Sequence, residues 1–385
     1  MLKNILILTC GKGGGHRNSS DAIKSALLKL NPSVDINDFD SNELFYGYSG
    51  DGGEEGYISF TTRYRFFWKC FFEITSFFRI FSNFILYKSI FRRFSELIKN
   101  YKPDIILSVH PCFVGSINKC LKKLKLSTPL FVCIIDLVKH SHLWHDKECE
   151  ITFVPTLKMY NYLLKKGFKK EKLIHSGFPI NEKFNKINKK PKEKILVPNI
   201  LMVSPSQKHN KVILQLILTT LNYNVNLTVV TGSNKKLKKH LDNRLTAYML
   251  ASDHKKFLNV KNVTVLGYVS DMDTRLSNAD VLITKAGPNM ILEAVKMCVP
   301  VLITGHIPGQ EEKNYQYIVE NGYGLKCDSP KKLSNALGRL FENDYKMLKE
   351  FSHNEQGCND TSGTEVVAQH LLEVLNKGEL QEDAK

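Results

Sequence analysis

Two groups of residues in this 385-residue chain combine types and spacing that chemistry could use. The first is Thr9-Cys10-Gly11-Lys12-Gly13-Gly14-Gly15-His16, between an apolar run at 4–9 and helix-like residues 17–30. Glycines there allow positive φ and close approach of backbone to a ligand. The helix start offers N–H groups and a partial positive charge to an anion. The segment is not a Walker A loop, which needs Lys-Ser/Thr after its last glycine. Nor is it a clean GxGxxG, because His16 stands at the third glycine position. A tight turn carrying a surface histidine is the plain alternative. The second group is Thr284-Lys285-Ala286-Gly287-Pro288-Asn289-Met290-Ile291-Leu292-Glu293, followed by Pro308-Gly309-Gln310-Glu311 and Asn314. It too follows a strand-like run and opens a helix, so a diphosphate could sit at a helix start near Pro288 or Asn289. Glu293 could accept hydrogen bonds from a ribose diol, or it is an ordinary acid favoured near a helix N-terminus by the dipole. Gln310 and Glu311 could bind sugar hydroxyls.

The elements that must position these groups alternate in type. Apolar runs at 4–9, 104–109 and 130–135 read as strands in the first half, 34–39 as another, and 151–154 and 173–175 as two further candidates. Those at 199–203, 225–230, 262–266, 280–283 and 299–303 read as strands in the second, with helical patterns at 208–221, 234–249, 289–297 and 311–320. Strand-then-helix alternation implies parallel sheets covered by helices. The charged stretch at 186–198 contains Pro191 and lacks an apolar period, and reads as a linker. The expected organisation is therefore an α/β first domain at 1–185, a linker at 186–198, an α/β second domain at 199–375 and a polar tail at 376–385. Two such halves suggest Rossmann-like domains facing across a cleft.

Several motifs in order along the chain add a resemblance. The Gly13-Gly14-Gly15-His16 turn, His110-Pro111, Asp136 with His140 and His142-Leu143-Trp144, Gly177-Phe178-Pro179-Ile180, and the 284–293 and 308–314 blocks are collinear. Together they resemble the monogalactosyldiacylglycerol synthase and processive diacylglycerol glucosyltransferase family over roughly residues 1–375. The resemblance implies a GT-B fold and an inverting, metal-independent transfer of glucose or galactose from a UDP-sugar to diacylglycerol, with no cofactor. It implies donor binding by Lys285, Ala286, Gly287, Pro288, Asn289, Glu293, Gln310, Glu311 and Asn314 in the second domain. Gly13, Gly14, Gly15 and His110 would form an acceptor or phosphate loop. His16 and Asp136 are the catalytic candidates: either could be the base, or one could orient the other. Analogy favours Asp136 as the base and keeps His16 essential. One departure is Ser204-Pro205-Ser206-Gln207-Lys208-His209, where the family has a glycine-rich loop. Lys208 or His209 could substitute there as phosphate ligands. Two other readings fit the same motifs: a UDP-N-acetylglucosamine transferase with a lipid-linked or other glycan acceptor, and an inactive GT-B protein that binds nucleotide-sugar or lipid.

Residues 64–94 hold 13 aromatics, a third of those in the chain, interleaved with basic side chains. Five of the six arginines of the first 185 residues lie between Arg63 and Arg93. Helical spacing puts Phe67, Phe71, Ile74, Phe78, Phe81 and Ile85 on one broad face. That face is either a core surface or a monotopic one, with aromatics in the membrane interface and arginines on anionic headgroups. The monotopic reading uses Arg63, Arg65, Phe67, Trp68, Phe71, Phe78, Arg79, Phe81, Arg92 and Arg93.

Composition bounds the rest. The formal net charge of +16 fits an anionic membrane or a phosphorylated substrate, although Lys-rich drift contributes. Nucleic acid is disfavoured because the basic stripe is interleaved with phenylalanines on helical faces. No apolar stretch is long enough to span a bilayer. The nine cysteines are scattered without a CxxC pair, arguing against zinc and disulfides. The DxD pairs Asp38/Asp40 and Asp271/Asp273 are read as chance rather than as a metal site. No signal peptide is seen at the start, and the expected setting is the cytoplasmic side of a membrane, peripherally bound.

Overall fold

A computed structural model describes residues 3–11, 14–40, 43–44, 64–187, 189–205, 208–250 and 262–382. The chain forms two compact units. The first comprises Met1–Glu182, Pro308–Gln310 and Asn359–Lys385; the second comprises Lys183–Ile307 and Glu311–Cys358.

The first unit is built on β1 (Asn4–Thr9), β2 (Asp35–Asp40), β3 (Ile105–Ser108), β4 (Leu130–Cys133), β5 (Thr152–Val154) and β6 (Leu173–His175). They form one sheet in the order β2-β1-β3-β4-β5-β6, and every pairing is parallel. Ile5, Leu6, Ile7 and Leu8 are all fully buried. A strand covered on both faces reads as a continuous apolar run rather than an alternating one, which is why these runs were legible. The unit's helices are α1 (Gly15–Leu30), α2 (Arg65–Phe77), α3 (Arg79–Tyr101), α4 (Gly115–Leu124) and α5 (Leu157–Lys165). Thr156 caps α5 by accepting from the Met159 amide at 3.1 Å.

A one-turn α6 (Glu182–Asn185) leads into the second unit. Its strands are β7 (Asn199–Val203), β8 (Asn226–Val230), β9 (Val263–Leu266), β10 (Val281–Lys285), β11 (Val301–Gly305) and β12 (Gly324–Lys326). The sheet order is β12-β11-β10-β7-β8-β9, again with every pairing parallel. Gly324 has φ +154°, and a Cβ there would lie 1.9 Å from the Val301 carbonyl oxygen, so β12 can pair with β11 only with glycine at this position. The helices are α7 (Asn210–Thr220), α8 (Lys235–Leu250), α9 (Met272–Asn278), α10 (Pro288–Lys296), α11 (Asn314–Glu320), α12 (Pro330–Phe341) and α13 (Lys346–Glu355).

The expected boundaries differ from these units in four places. Pro308–Gln310, expected in the second domain and carrying the donor candidate Gln310, clusters with the first unit. The last helix, α14 (Gly363–Glu382), clusters with the first unit, although the sequence reading gave residues up to 375 to the second. Its stripe of Val367, Ala368, Leu371 and Leu375 is buried, and it lies on α1. The chain entering it is tied down by Phe178 N–H on the Asp360 carbonyl at 2.7 Å, and by His175 Nε2 and Asp360 Oδ1 at 2.9 Å. The tail expected from 376 is helical as far as Glu382. The 186–198 stretch is held on the second unit rather than loose: Lys189 donates to the carbonyls of Leu276 and Ala279, and Lys192 pairs with Asp280 at 2.7 Å.

Candidate active site

In an open parallel sheet, ligands collect beyond the carboxyl ends of the strands where the strand order reverses. In the first unit that point lies between β1 and β3. The Gly-rich turn leaves β1, passes Gly11 at φ +73°, and enters α1 with Gly14 as its N-cap and Gly15 as its first residue. Gly13 lies outside the described residues. His16 Nδ1 is 2.7 Å from the Val109 carbonyl oxygen, just past β3. A carbonyl can only accept, so Nδ1 carries the hydrogen and Nε2 is the lone-pair nitrogen of the neutral ring. Burial lowers the His16 pKa to about 4, with the Val109 contact opposing, so the ring is neutral near pH 7.

The His110 ring stands edge-on to His16 with centroids 4.6 Å apart. Burial, with His16 as a lesser cause, holds His110 well below the usual histidine range. Trp144, in a short 3-10 turn at His142–Trp144, lies 6.4 Å from the His16 ring and is fully buried. Its indole Nε1–H donates to Asp136 Oδ2 at 2.8 Å. His16 and His110 thus meet at this switch point, and Asp136, past β4, is connected to them through Trp144. Trp144 is the member that sequence reasoning quoted but gave no role; its signal was a tryptophan eight residues after Asp136.

In the second unit the order reverses between β7 and β10. The register of β10 on β11 slips between Thr284 and Lys285, and this irregularity re-aims the end of β10. Gly287 is the N-cap of α10 and Pro288 its first residue, where a missing N–H costs nothing. The first turn of α10 has neither an acidic residue nor a side-chain cap among the described residues. Asn289 follows Pro288, half-buried, and Ala286 is buried. Asn314 Nδ2 donates to the Ala286 carbonyl at 2.9 Å and so fixes the turn before the helix.

Glu293 is the sixth residue of α10 and only 8% exposed. Burial raises its pKa to about 8. The residue stands in the second turn of α10, past the first turn in which the helix dipole favours an acid. Glu311 is buried; one oxygen pairs with Lys285 Nζ and the other accepts the Ile307 amide at 2.8 Å. Gln310 is half-buried and clusters with the first unit, so it is not gathered with these donor candidates. Lys208 and His209 are engaged locally: Lys208 donates to the Asp328 carbonyl at 3.2 Å, and His209 caps α7.

The DxD pairs have ordinary partners. Asp38 binds Arg17 at 2.8 Å and Asp271 binds Arg275 at 2.9 Å. Among the described residues, no group of three or more His, Cys, Asp or Glu is arranged to hold a metal ion.

The aromatic segment forms α2 and α3, broken at Phe78. Phe67, Phe71, Ile74, Phe78, Phe81 and Ile85 are all more than half exposed, so the core-surface alternative does not hold for them. Trp68 is half-buried, whereas Arg65 and Arg92 are exposed. Arg79 is committed to the His145 carbonyl, and Arg93 to that of Leu44 at 3.2 Å. Arg63 lies outside the described residues. No helix among the described residues is long and apolar enough to cross a membrane.

Residues 16–180 match the family model of monogalactosyldiacylglycerol (MGDG) synthase, and residues 179–370 match the glycosyltransferase family 28 C-terminal domain. The chain is 27% identical to monogalactosyldiacylglycerol synthase 3, chloroplastic, of Arabidopsis thaliana, covering 92% of this chain and 77% of that protein. It is 28% identical to synthase 1 of the same plant, covering 91% of this chain and 67% of that protein. Among solved structures, MurG of Acinetobacter baumannii superposes with a TM-score of 0.58 at 12% identity, covering 97% of this chain and 99% of that one. The calicheamicin glycosyltransferase CalG4 gives 0.60 at 12% identity, covering 98% and 99%. A UDP-GlcNAc 2-epimerase from Neisseria meningitidis gives 0.57 at 13%, covering 97% and 100%. These structural likenesses show the two-unit α/β architecture of GT-B proteins, which does not by itself separate transferases from epimerases.

Proposed function

Because this chain belongs to the monogalactosyldiacylglycerol synthase family, we propose that it is an inverting transferase moving glucose or galactose from a UDP-sugar to diacylglycerol at a membrane surface. It is a UDP-sugar-dependent hexosyltransferase; the finer statements are the proposal. The observation that carries them is His16, neutral and pinned through Nδ1–H to the Val109 carbonyl, with its Nε2 lone pair left as the basic atom. The acceptor hydroxyl oxygen attacks the anomeric carbon as its proton passes to Nε2 and the bond to the UDP oxygen breaks. Attack opposite the leaving diphosphate inverts the anomeric centre. Asp136 fixes Trp144 beside His16.

The second unit serves the donor. Negative charge on the departing diphosphate meets the N-terminus of α10, a preorganised dipole. Lys285 adds a full positive charge beside it. These groups supply the electrostatic stabilisation without a bound metal. Glu293 takes the ribose diol, and Glu311 and Asn314 of the same unit face the hexose. The exposed aromatics of α2 and α3, with Arg65 and Arg92, dock on an anionic bilayer.

The test is purified protein with diacylglycerol vesicles and a panel of UDP-glucose, UDP-galactose and UDP-N-acetylglucosamine, with and without EDTA, products read by mass spectrometry. The expected product is a hexosyl-diacylglycerol with the configuration inverted and EDTA without effect. Product only from UDP-N-acetylglucosamine, or none from any donor, would sink the reading; loss of activity in EDTA would remove metal independence.

A further inference from the structure

In the second unit a buried ion pair sits at the start of α10. Lys285 Nζ and Glu311 Oε1 are in direct contact, and the Glu311 side chain is only 5% exposed. A Cβ built on Gly287, the N-cap, would lie 3.0 Å from Lys285 Nζ and 3.6 Å from Glu311 Oε1. The ammonium therefore stands beside the positive end of the helix dipole, an unfavourable place for a cation unless an anion is there too. That anion is Glu311. Its other oxygen holds the Ile307 amide at 2.8 Å, so the carboxylate has a second anchor that does not involve Lys285. The β10–β11 register is irregular between Thr284 and Lys285, immediately before the helix start.

We propose that the Glu311 carboxylate is an internal stand-in for the donor's diphosphate, holding Lys285 at the start of α10 until the diphosphate displaces it, which makes Lys285 a diphosphate-selective contact. This rests on the donor reading above. On binding, the Lys285 ammonium passes from the carboxylate to a phosphate oxygen. Glu311 stays tethered to Ile307 and is released to face the hexose. The arrangement favours ligands carrying a phosphate pair over those with the same base and sugar but no charge, because only an anion can replace what Glu311 provides.

The experiment is calorimetric titration of UDP and of uridine into wild type, Lys285→Met, Glu311→Gln and the double variant. Glu311→Gln keeps a carbonyl for the Ile307 amide but removes the competing charge. It should tighten UDP binding by about three- to tenfold, as expected when a charge-assisted hydrogen bond no longer has to be broken. Lys285→Met should weaken UDP by about tenfold for the same reason. Uridine affinity should change by less than about twofold in both, since neither side chain meets an uncharged ligand. In the double variant, Glu311→Gln should no longer tighten UDP, the non-additivity expected of a coupled pair. Weaker UDP binding by Glu311→Gln, or parallel shifts for UDP and uridine, would show a structural clamp and overturn the proposal while leaving the donor reading intact. Wild type that fails to bind UDP would overturn both. Thermal melts of each variant separate loss of fold from loss of contact.

Discussion

Replacing Glu293 by glutamine separates stability from function at the donor end of the second unit. Burial raises the carboxyl from its ordinary 4.5 to about 8, and burial is the only cause. The folded protein thus keeps a proton that the unfolded chain gives up above pH 4.5. Wherever the folded state binds more protons, stability falls as pH rises. The contribution of Glu293 to stability should therefore be flat below pH 4.5 and decline between 4.5 and about 8. At about 1.4 kcal/mol per pH unit, the decline is worth up to about 5 kcal/mol. Glu293→Gln removes this slope: urea unfolding should show near-equality at about pH 5 and a variant more stable by several kcal/mol at about pH 8. UDP binding should show the reverse cost. A ribose diol favours the ionised carboxylate, so UDP binding to wild type near neutral pH should release a proton, seen as a buffer-dependent binding heat. The glutamine variant should release none and bind more weakly. Parallel stability curves for the two proteins across this pH range would refute the desolvation argument. A buffer-independent heat in wild type would refute the ribose contact.

Removing the proposed base by His16→Ala should lower turnover at least a hundredfold, while Asp136→Asn, which can still accept from Trp144, should cost much less; equal losses in the glycolipid assay would return the base to Asp136. The acid limb of kcat/KM should follow His16 and fall only as pH approaches about 4. Burial first, then neighbouring cations and histidines, keep His140 neutral down to about 4 and His145 down to about 2. The unfolded chain takes up these protons below 6.5, so stability should drop as pH falls from 6.5 toward 4, and His145→Phe should blunt that drop in acid melts. Phe77→Ser with Phe81→Ser removes two exposed rings from the α2–α3 surface and should cut flotation with anionic vesicles at least tenfold, by about 2 kcal/mol of apolar burial per ring. Unchanged flotation would place the docking surface elsewhere.

Eleven of the twelve described strands were legible, most of them because a covered parallel strand reads as an apolar run between turn residues; Asp35–Asp40, polar and only partly buried, does not follow that rule. The twelfth, Gly324–Lys326, has only three residues and opens with a glycine, so it carries no run. The last helix was misassigned for a different reason. Its apolar stripe shows that it must pack, but a stripe does not name its partner, and what fixes α14 on the first unit is backbone contact between residues about 180 apart in sequence, such as Phe178 with Asp360. In the site, the residue types were readable and their pairings were not. Glu311 looks like a free ligand for sugar hydroxyls until Lys285 and the Ile307 amide are found on its two oxygens. The choice between a core and an exposed face for 64–94 likewise depends on what covers the helices, which spacing alone does not specify.

The pairings also bear on which group takes the acceptor's proton. Asp136 is buried and accepts the Trp144 indole N–H on Oδ2 at 2.8 Å, so one of its oxygens is engaged in positioning the indole. His16 is arranged the opposite way. Its one fixed contact consumes the hydrogen-bearing nitrogen, so the contact that holds the ring leaves the basic nitrogen unspent. Its low pKa follows from desolvation, a penalty on the imidazolium that an adjacent anion offsets. In the reading proposed above, Asp136 holds Trp144 beside His16.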